Sequence, residues 1–511
     1  MYKAPSVRVP SASRLREITQ SLKQDIEATE LQEYHESISE TLRRTYQRLY
    51  ELEDPRTPVK YPRTPGYRPS VEDNPYNAWA WHCDIQGASS GKLYGKTVAI
   101  KDNACVAGVP LMNGSRLMEG YVPDVDATVV SRILDAGGRI IGKSVCENLC
   151  FDSASFTSAT GPVVNPYNKN RMALGSSSGS AALVAGGHVD MALGGDQGGS
   201  IRMPAAACGI VGLKPTFGLV PYTGIISLEL TLDHVGPMAR TVNDTALLLE
   251  VLAGLDGDLD PRQPRALPIP ECYTSQLTGD ISHLKIGILK EGFGHPSSEA
   301  DVDALVREAV KHLGCQKQAT VGDVSVKMHL DGKVLLSAIS VEGGTNTMLS
   351  GFGTSAKMHY DTFLQEAFAR GLKTHSNDLP ATVKKSLLLG TYLSAEHNGI
   401  FYSKAHNLGR KLCEEYDKVL QDCDVLVMPT IPKKAGTFPP PNASLGEYLE
   451  KASGNNINTG SFNITGHPAL SINAGFSEGL PVGMMIVGRK FEDATVLNVG
   501  YAFERIMDSA G

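Results

Sequence analysis

Two loops rich in serine and glycine, Gly175–Ser180 and Gly194–Ser200, lie close together in the chain and could carry nucleophilic chemistry. Closely spaced glycines allow positive φ values, so that amide N–H groups approach a ligand and a serine hydroxyl is presented to solvent. One such loop by itself is more typical of a tight turn. Two of them around a short apolar segment, followed by SIRMPAA, favour functional loops over purely structural turns.

This stretch resembles the amidase signature family of serine hydrolases, and the resemblance extends over about residues 70–510. It implies a Ser–cisSer–Lys triad, in which Ser200 of GGS is the nucleophile, Ser176 is the bridging serine and Lys101 of VAIKDN is the base. The usual GGSSGG reads LGSSSG here, so Ser177 is an alternative bridge, although the spacing favours Ser176.

Such a triad has a clear chemical logic. A serine hydroxyl is a poor nucleophile unless a base removes its proton as it attacks. Lysine is a base only when its amine is neutral, and burial without a counter-ion favours the neutral amine. A serine between the two can relay the proton, because a hydroxyl both donates and accepts. The consecutive N–H groups of Gln197, Gly198 and Gly199 are suited to binding the oxyanion.

Two charged residues flank the proposed nucleophile. Asp196 lies four residues before it and Arg202 two residues after it. Substrate contact is one interpretation, but a charge pair that supports the glycine loop is favoured, and the resemblance implies the same. We therefore predict that Asp196, Arg202 and Ser177 support the reacting groups without touching the substrate.

Two other nucleophilic sites are alternatives. One is a Ser–His–Asp triad with His234 of LDHVGP as the base and Asp233 beside it, but no G-x-S-x-G surrounds the proposed nucleophile. The other is a cysteine amidohydrolase that uses Cys146 or Cys150 near Glu147. These cysteines come with no glycine loop to bind an oxyanion, so both alternatives are disfavoured.

The sequence predicts neither a metal ion nor another cofactor. It contains no HExxH and no clustered set of cysteine and histidine ligands. GGRIIGKS at 137–144 matches the Walker A pattern formally, but a phosphate loop must follow a strand and open a helix. Here a predicted helix comes first and RII is typical of a strand, so nucleotide binding is not expected.

The composition, with 41% hydrophobic and 20% charged residues, is typical of a globular protein. A net charge of −7 gives no electrostatic reason to expect a nucleic acid or an anionic membrane as partner. No apolar run is long enough to span a bilayer, and MYKAPSVRVP lacks the apolar segment of a signal peptide. Nine scattered cysteines without CxxC pairs fit reduced thiols, so we expect a cytoplasmic location.

These residues need a scaffold, and the resemblance implies an α/β amidase signature fold. We expect a large mixed, twisted sheet covered by helices on both faces, with an N-terminal α-helical extension. The predicted domains are a helical segment over 1–70 and a catalytic domain over 71–511, with a helical insertion at about 335–420 that forms a substrate cap. Apolar residues at helical spacing over 11–54 predict the extension, and 55–95 is predicted to be an ordered linker.

The function that the resemblance implies is hydrolysis of a carboxamide to acid plus ammonia or amine. A urethanase that cleaves carbamate esters is an alternative, because a carbamate offers the same carbonyl to the same serine. An amidotransferase-type subunit or a non-catalytic scaffold is less favoured, since all three triad positions are intact. The expected partner is a small amide or carbamate.

Two roles are considered for the N-terminal helices. They either cover the main domain or form the interface of a homodimer.

Overall fold

The computed structural model describes residues 7–268, 272–350 and 356–510. The chain divides into two compact units, Met1–Pro58 and Val59–Gly511. The sequence analysis put the boundary between the helical segment and the catalytic domain at residue 70. In the structure, residues 59–70 are part of the second unit.

The first unit is built from short helices, in agreement with the helical spacing of its apolar residues. The helices are α1 (Ala12–Ser21), α2 (Ala28–Thr41) and α3 (Gln47–Glu51), and a π-helical turn over Leu42–Tyr46 joins the last two. The Ser11 hydroxyl caps the first helix by accepting a hydrogen bond from Arg14 N–H at 3.2 Å.

The second unit is organised around one mixed sheet of 11 strands. The strands are β1 (Trp79–Gln86), β2 (Thr97–Lys101), β3 (Arg139–Ser144), β4 (Met191–Asp196), β5 (Val211–Lys214), β6 (His234–Ala239), β7 (Lys285–Leu289), β8 (Thr320–Val324), β9 (Val425–Pro429), β10 (Ala469–Ser477) and β11 (Leu480–Gly488). Their order is β1-β3-β2-β4-β6-β5-β10-β11-β9-β7-β8. β2 is parallel to β3 and β4, and β7 is parallel to β8 and β9, whereas the other pairs are antiparallel.

Helices lie on both faces of this sheet, as predicted. They are α4 (Thr128–Asp135), α5 (Ser178–Ala185), α6 (Arg202–Ala207), α7 (Val242–Leu252), α8 (Ala300–Lys317), α9 (Gly332–Ser350), α10 (Thr362–His375), α11 (Ala381–His397), α12 (Ile400–Asp422), α13 (Leu445–Ala452), α14 (Ser461–Thr465) and α15 (Asp493–Ala510). In β2, Val98 and Ile100 belong to the same hydrophobic cluster as residues of α4, α7, α8 and α15, whereas Ala99 belongs to the cluster that contains residues of α5. Side chains alternate along a strand, so one strand contributes to two hydrophobic cores.

Two segments test the sequence interpretation directly. The helical insertion predicted at 335–420 corresponds to α9 to α12. The supposed linker over 55–95 instead contains β1, which pairs antiparallel with β3 at the edge of the sheet. β3 contains the RII of GGRIIGKS, so this segment is a strand and not a phosphate loop.

Within the described ranges, none of the helices has the length and apolar character that a membrane crossing requires.

Candidate active site

Lys101 is the last residue of β2, and its side chain is completely buried. Its Nζ atom donates hydrogen bonds to Ser176 Oγ at 2.8 Å and to the Gly195 carbonyl oxygen at 3.2 Å. The next residue, Asp102, instead accepts a hydrogen bond from Lys143 Nζ at 3.0 Å. Because side chains alternate between the faces of a strand, this carboxylate is directed away from the Lys101 amine.

Ser176 and Ser177 follow each other just before α5 but have different partners. The peptide bond between Gly175 and Ser176 is cis, and Ser176 Oγ accepts the hydrogen bond from Lys101. Ser177 Oγ donates to the Gly195 carbonyl at 3.1 Å and accepts from the Gly195 N–H at 3.2 Å. Of the two candidates for the bridging serine, Ser176 is therefore the one that contacts the lysine.

Ser200 lies in the turn between β4 and α6 and is 5% exposed. The Ser177 N–H donates to the Ser200 carbonyl at 3.2 Å, so a backbone hydrogen bond joins the two serine-glycine loops. The preceding residue, Gly199, has a φ of 132°, and a Cβ there would lie 2.2 Å from Thr459 Oγ1. Both the backbone conformation and the close contact require glycine before this serine.

Backbone amides just before Ser200 are the predicted oxyanion donors. The N–H groups of Gln197 and Gly198 have no protein acceptor in the part of the chain that the structure describes. The Gly199 N–H, however, donates to Asp196 Oδ1 at 2.7 Å. This differs from the sequence prediction, because a carboxylate in the same turn already binds that amide. The geometry leaves Gln197 and Gly198 as the available donors.

Asp196 and Arg202 form a completely buried ion pair. The guanidinium donates to the carboxylate through Nε at 3.0 Å and Nη2 at 2.9 Å, and the same carboxylate accepts the N–H of Ile201 at 3.0 Å. Burial raises the pKa of Asp196, but the Arg202 charge and the hydrogen bonds from Arg202 and Asn463 outweigh burial and hold it well below its usual value. The pair thereby fixes the turn that carries the proposed nucleophile.

Three residues distant in sequence support this turn and were not identified by sequence analysis. Thr459 Oγ1 donates to the Gly198 carbonyl at 2.6 Å, and Asn463 Nδ2 donates to the Asp196 carbonyl at 2.8 Å. Leu336 of α9 packs over the same loop, since a Cβ on Gly198 would lie 3.1 Å from its Cδ2. No local pattern in the sequence links these positions to the glycine loop.

Cys150 is a buried cysteine that the sequence analysis considered only as a nucleophile. Its thiol donates a hydrogen bond to Asn113 Oδ1 at 3.3 Å, and the Cys146 thiol donates to the same oxygen at 3.6 Å. Burial raises the pKa of this thiol, but the hydrogen bond with Cys146 and the Lys101 charge outweigh burial and lower the pKa to about 7.

The alternative catalytic groups are not assembled. His234 Nδ1 hydrogen-bonds the Leu232 carbonyl at 2.8 Å, and within the described ranges its Nε2 has no partner. Asp233 instead accepts a hydrogen bond from Ser227 Oγ at 2.5 Å. Burial is the main cause that lowers the pKa of His234 well below its usual value. Near the cysteines, the Glu147 carboxylate accepts the hydroxyl hydrogen of Thr157 at 2.7 Å.

A group of potential metal ligands lies elsewhere in the second unit and was not predicted. Ligand atoms of Cys413, Asp417 and His467 lie within 4.8 Å of one another. Lys490 Nζ is 2.8 Å from Cys413 Sγ and 3.5 Å from Asp417 Oδ2, and His467 Nε2 is 2.9 Å from Asp417 Oδ1. The Lys490 ammonium therefore supplies the positive charge beside these groups.

Comparison with known proteins agrees with this fold. The Amidase family model matches residues 72–497. Over 508 aligned residues, the chain is 44% identical to an enantioselective amidase of Rhodococcus rhodochrous. The alignment covers 98% of this chain and 96% of that protein. The structure of a glutamyl-tRNA(Gln) amidotransferase subunit from Thermotoga maritima matches with a TM-score of 0.68 at 30% identity, covering 84% of this chain and 88% of that one. Native peptide amidase from Stenotrophomonas maltophilia matches with a TM-score of 0.67 at 26% identity, covering 82% and 84%.

The family match spans the strands and loops on which Lys101, Ser176 and Ser200 lie. It also includes the helical insertion and the closing strands β10 and β11, so it is not limited to one motif. The chain therefore belongs to the amidase signature family of enzymes, which act on amide C–N bonds.

Proposed function

We propose that this enzyme hydrolyses carboxylic amides to acid plus ammonia or amine through an acyl-enzyme on Ser200. The observation that carries the proposal is the contact between Lys101 Nζ and Ser176 Oγ at 2.8 Å in a completely buried setting. Among the described residues, no carboxylate forms an ion pair with this amine, and its two partners are a hydroxyl and a backbone carbonyl.

In the proposed reaction, Ser200 Oγ attacks the amide carbonyl carbon. Its proton passes to Ser176 Oγ, which gives its own proton to Lys101 Nζ. The tetrahedral oxyanion is bound by the free N–H groups of Gln197 and Gly198, and a donor of this kind typically contributes about 3 kcal/mol to transition-state stabilisation. Collapse breaks the C–N bond, the leaving nitrogen takes a proton back through the same relay, and water then hydrolyses the acyl ester.

Substrate choice is assigned to the helical insertion. Leu336 of α9 covers the loop that carries the oxyanion donors, so the insertion lies beside the reacting carbonyl. The Rhodococcus relative is named as an enantioselective amidase, and we extend that chiral discrimination to this chain as part of the proposal. Carbamate esters are the alternative substrates, since they offer the same carbonyl to the same serine.

The decisive experiment compares the native enzyme with Ser200→Ala. We expect Ser200→Ala to lose almost all turnover while circular dichroism and thermal unfolding remain native-like, because this residue alone forms the covalent bond. Ser178→Ala is the matched control. Its hydroxyl is buried in the same stretch, has no partner among the described residues, and should be dispensable for turnover. A fluorophosphonate should label native enzyme on Ser200, and an acyl group trapped on another residue would contradict the proposal.

Product analysis against aliphatic amides, anilides, both enantiomers of chiral amides, carbamates and glutamine then identifies the substrate. The purified chain should release ammonia or amine without any partner protein. Cleavage of carbamates in preference to amides would favour the urethanase alternative. Activity that appears only with a partner would instead favour an amidotransferase-type subunit, the role named for the Thermotoga maritima neighbour.

A further inference from the structure

Tyr222 lies outside the proposed triad, but its hydroxyl group contacts the loop that carries the proposed oxyanion donors. Gln197 Nε2 donates a hydrogen bond to Tyr222 Oη at 2.7 Å, and both residues are 4% exposed. Gln197 Oε1 is shielded from solvent and has no partner within the described residues. In the part of the chain that the structure describes, the bond to Tyr222 is therefore the hydrogen bond that fixes the Gln197 side chain.

The turn that contains Tyr222 is joined to the chain just beyond Lys101. The Ile225 N–H donates to the Tyr222 carbonyl at 3.0 Å and closes the turn. The neighbouring Ile226 N–H donates to the Asn103 carbonyl at 2.8 Å, and Asn103 lies two residues after the proposed base. Tyr222 therefore connects the end of β2 with the loop that carries the proposed oxyanion donors.

Two charged residues hold Tyr222 in place. The Tyr222 N–H donates to Asp260 Oδ2 at 2.8 Å, and the guanidinium carbon of Arg262 lies 4.5 Å from the centre of the Tyr222 ring. Arg262 Nε and Nη2 each donate at 2.7 Å to one oxygen of the Asp260 carboxylate. A bidentate pair of this kind fixes the geometry of both partners, and a guanidinium is attracted to the face of an aromatic ring. The Tyr222 hydroxyl is therefore held at a defined position.

The loop that Tyr222 contacts carries the two N–H groups proposed to bind the oxyanion. The Gly198 carbonyl accepts from Thr459 Oγ1 at 2.6 Å, whereas the N–H groups of Gln197 and Gly198 have no protein acceptor within the described ranges. Such a donor lowers the barrier only if it already points to the place where the charge develops. We propose that Tyr222 is a positioning residue whose hydroxyl, by binding the Gln197 side chain, keeps both N–H groups directed at the substrate carbonyl oxygen, an inference that rests on the proposed function.

The test measures kcat and KM for native enzyme, Tyr222→Phe, Gln197→Met and the double variant. Tyr222→Phe removes only the hydroxyl, whereas Gln197→Met removes the side-chain amide and keeps the backbone N–H. We expect each single variant to lower kcat by about 10-fold or more and to change KM by less than about 3-fold, because the oxyanion forms only after attack. The double variant should be no slower than the slower single variant, since both changes break the same hydrogen bond. Losses that multiply in the double variant would overturn the inference.

Tyr273→Phe is the matched control for the loss of a buried hydroxyl. Tyr273 is 2% exposed and belongs to the same hydrophobic cluster as Tyr222. Within the described residues, no hydrogen bond joins it to the serine-glycine loops. We expect this control to keep the native kcat, and thermal unfolding checks that every variant is folded. A native kcat in folded Tyr222→Phe and Gln197→Met would refute the positioning role, even if Ser200→Ala is inactive and the proposed function stands.

A binding measurement without turnover separates the positioning role from support of substrate binding. In Ser200→Ala the tetrahedral oxyanion cannot form, so an amide should bind with the same affinity whether or not Tyr222→Phe is also present. Isothermal titration calorimetry with the amide that native enzyme hydrolyses fastest gives both affinities. A loss of affinity as large as the loss of kcat would show that Tyr222 supports binding of the substrate itself, and would overturn the inference. Full activity of Ser200→Ala would instead refute the proposed function.

Discussion

Lys101 and Asp102 are adjacent in sequence, yet their side chains have separate partners. Lys101 contacts a hydroxyl and a carbonyl in the buried site, whereas Asp102 pairs with Lys143. If the carboxylate faced the same way as the amine, it would stabilise the ammonium form and remove the base. Strand alternation prevents this, so the placement of a single residue at the end of β2 decides whether a buried lysine can act as a base.

Replacing Lys101 tests this argument at the residue scale. Lys101→Met removes the base, and Lys101→Arg keeps a cation that stays protonated and cannot accept a proton. We expect each variant to lower kcat/KM by about 100-fold or more, the range found for loss of a general base. Steady-state kinetics and a pH profile are the measurements. Substantial activity of Lys101→Arg with a native pH profile would mean that the lysine is only an electrostatic support.

At the scale of elements, the proposed active site is built where strands end and helices begin. β2 and β4 are parallel neighbours, so Lys101 and Asp196 lie at the same edge of the sheet. The cis peptide at Ser176 precedes α5, and Ser200 precedes α6. Each side chain proposed to react is therefore held at the end of a rigid element, while the loops carry the amides proposed to bind the oxyanion.

The loop that follows Cys150 makes a stability prediction at this scale. Asp152 Oδ2 is shielded from solvent and has no hydrogen-bond partner within the described residues. Burial is the main cause that raises the Asp152 pKa from 3.8 to about 7. Because the folded value lies above the unfolded value, the stability contributed by the protonated carboxyl is complete below pH 3.8 and is lost as the pH rises through about 7.

We therefore expect Asp152→Asn, which cannot ionise, to remove this decline in the free energy of unfolding. Urea unfolding at one pH below and one pH above the Asp152 pKa of about 7 gives the comparison. Asp331→Asn, at an exposed position, is the control and should retain the native pH dependence. An equal decline in native enzyme and Asp152→Asn would show that another group is responsible.

At the scale of the whole molecule, the second unit contains its own cores and the proposed site. One large hydrophobic cluster lies on one face of the sheet, and two others lie against the opposite face. All members of these clusters in the described ranges come after residue 58. The residues proposed to react also lie within Val59–Gly511.

A chain that begins at Val59 tests the independence of this unit. We expect it to unfold cooperatively and to retain the native kcat/KM on amides, because its cores and reacting groups are intact. Thermal unfolding and steady-state kinetics check both expectations, and aggregation or loss of activity would contradict them. Elution volumes of the full and shortened chains in gel filtration also test the homodimer assigned to the N-terminal helices. If the apparent molecular size falls by more than the mass of the removed residues explains, the result would support that role.

The family resemblance implied the fold class, and local patterns in the sequence were sufficient for several elements. The helical spacing of apolar residues predicted the N-terminal helices, and the RII of GGRIIGKS predicted the strand β3. The helical insertion that corresponds to α9 to α12 was expected together with the implied fold. The two serine-glycine loops identified Ser176, Ser177 and Ser200 as candidates. Such features depend on residues that are neighbours along the chain, so their periodicity and spacing are visible without the fold. The catalytic roles of these residues stay predictions.

Other features depend on contacts between distant segments and were decided only by tertiary structure. β1 looked like a linker because its hydrogen bonds come from β3. The Gly199 amide is bound by Asp196, whose own partners include Asn463, a residue far along the chain. The turn that contains Cys150 is joined to Ser176 by a hydrogen bond from the Glu147 N–H. Sequence spacing carries no information about which surfaces pack together, since burial and hydrogen bonding across the sheet bring these groups into contact.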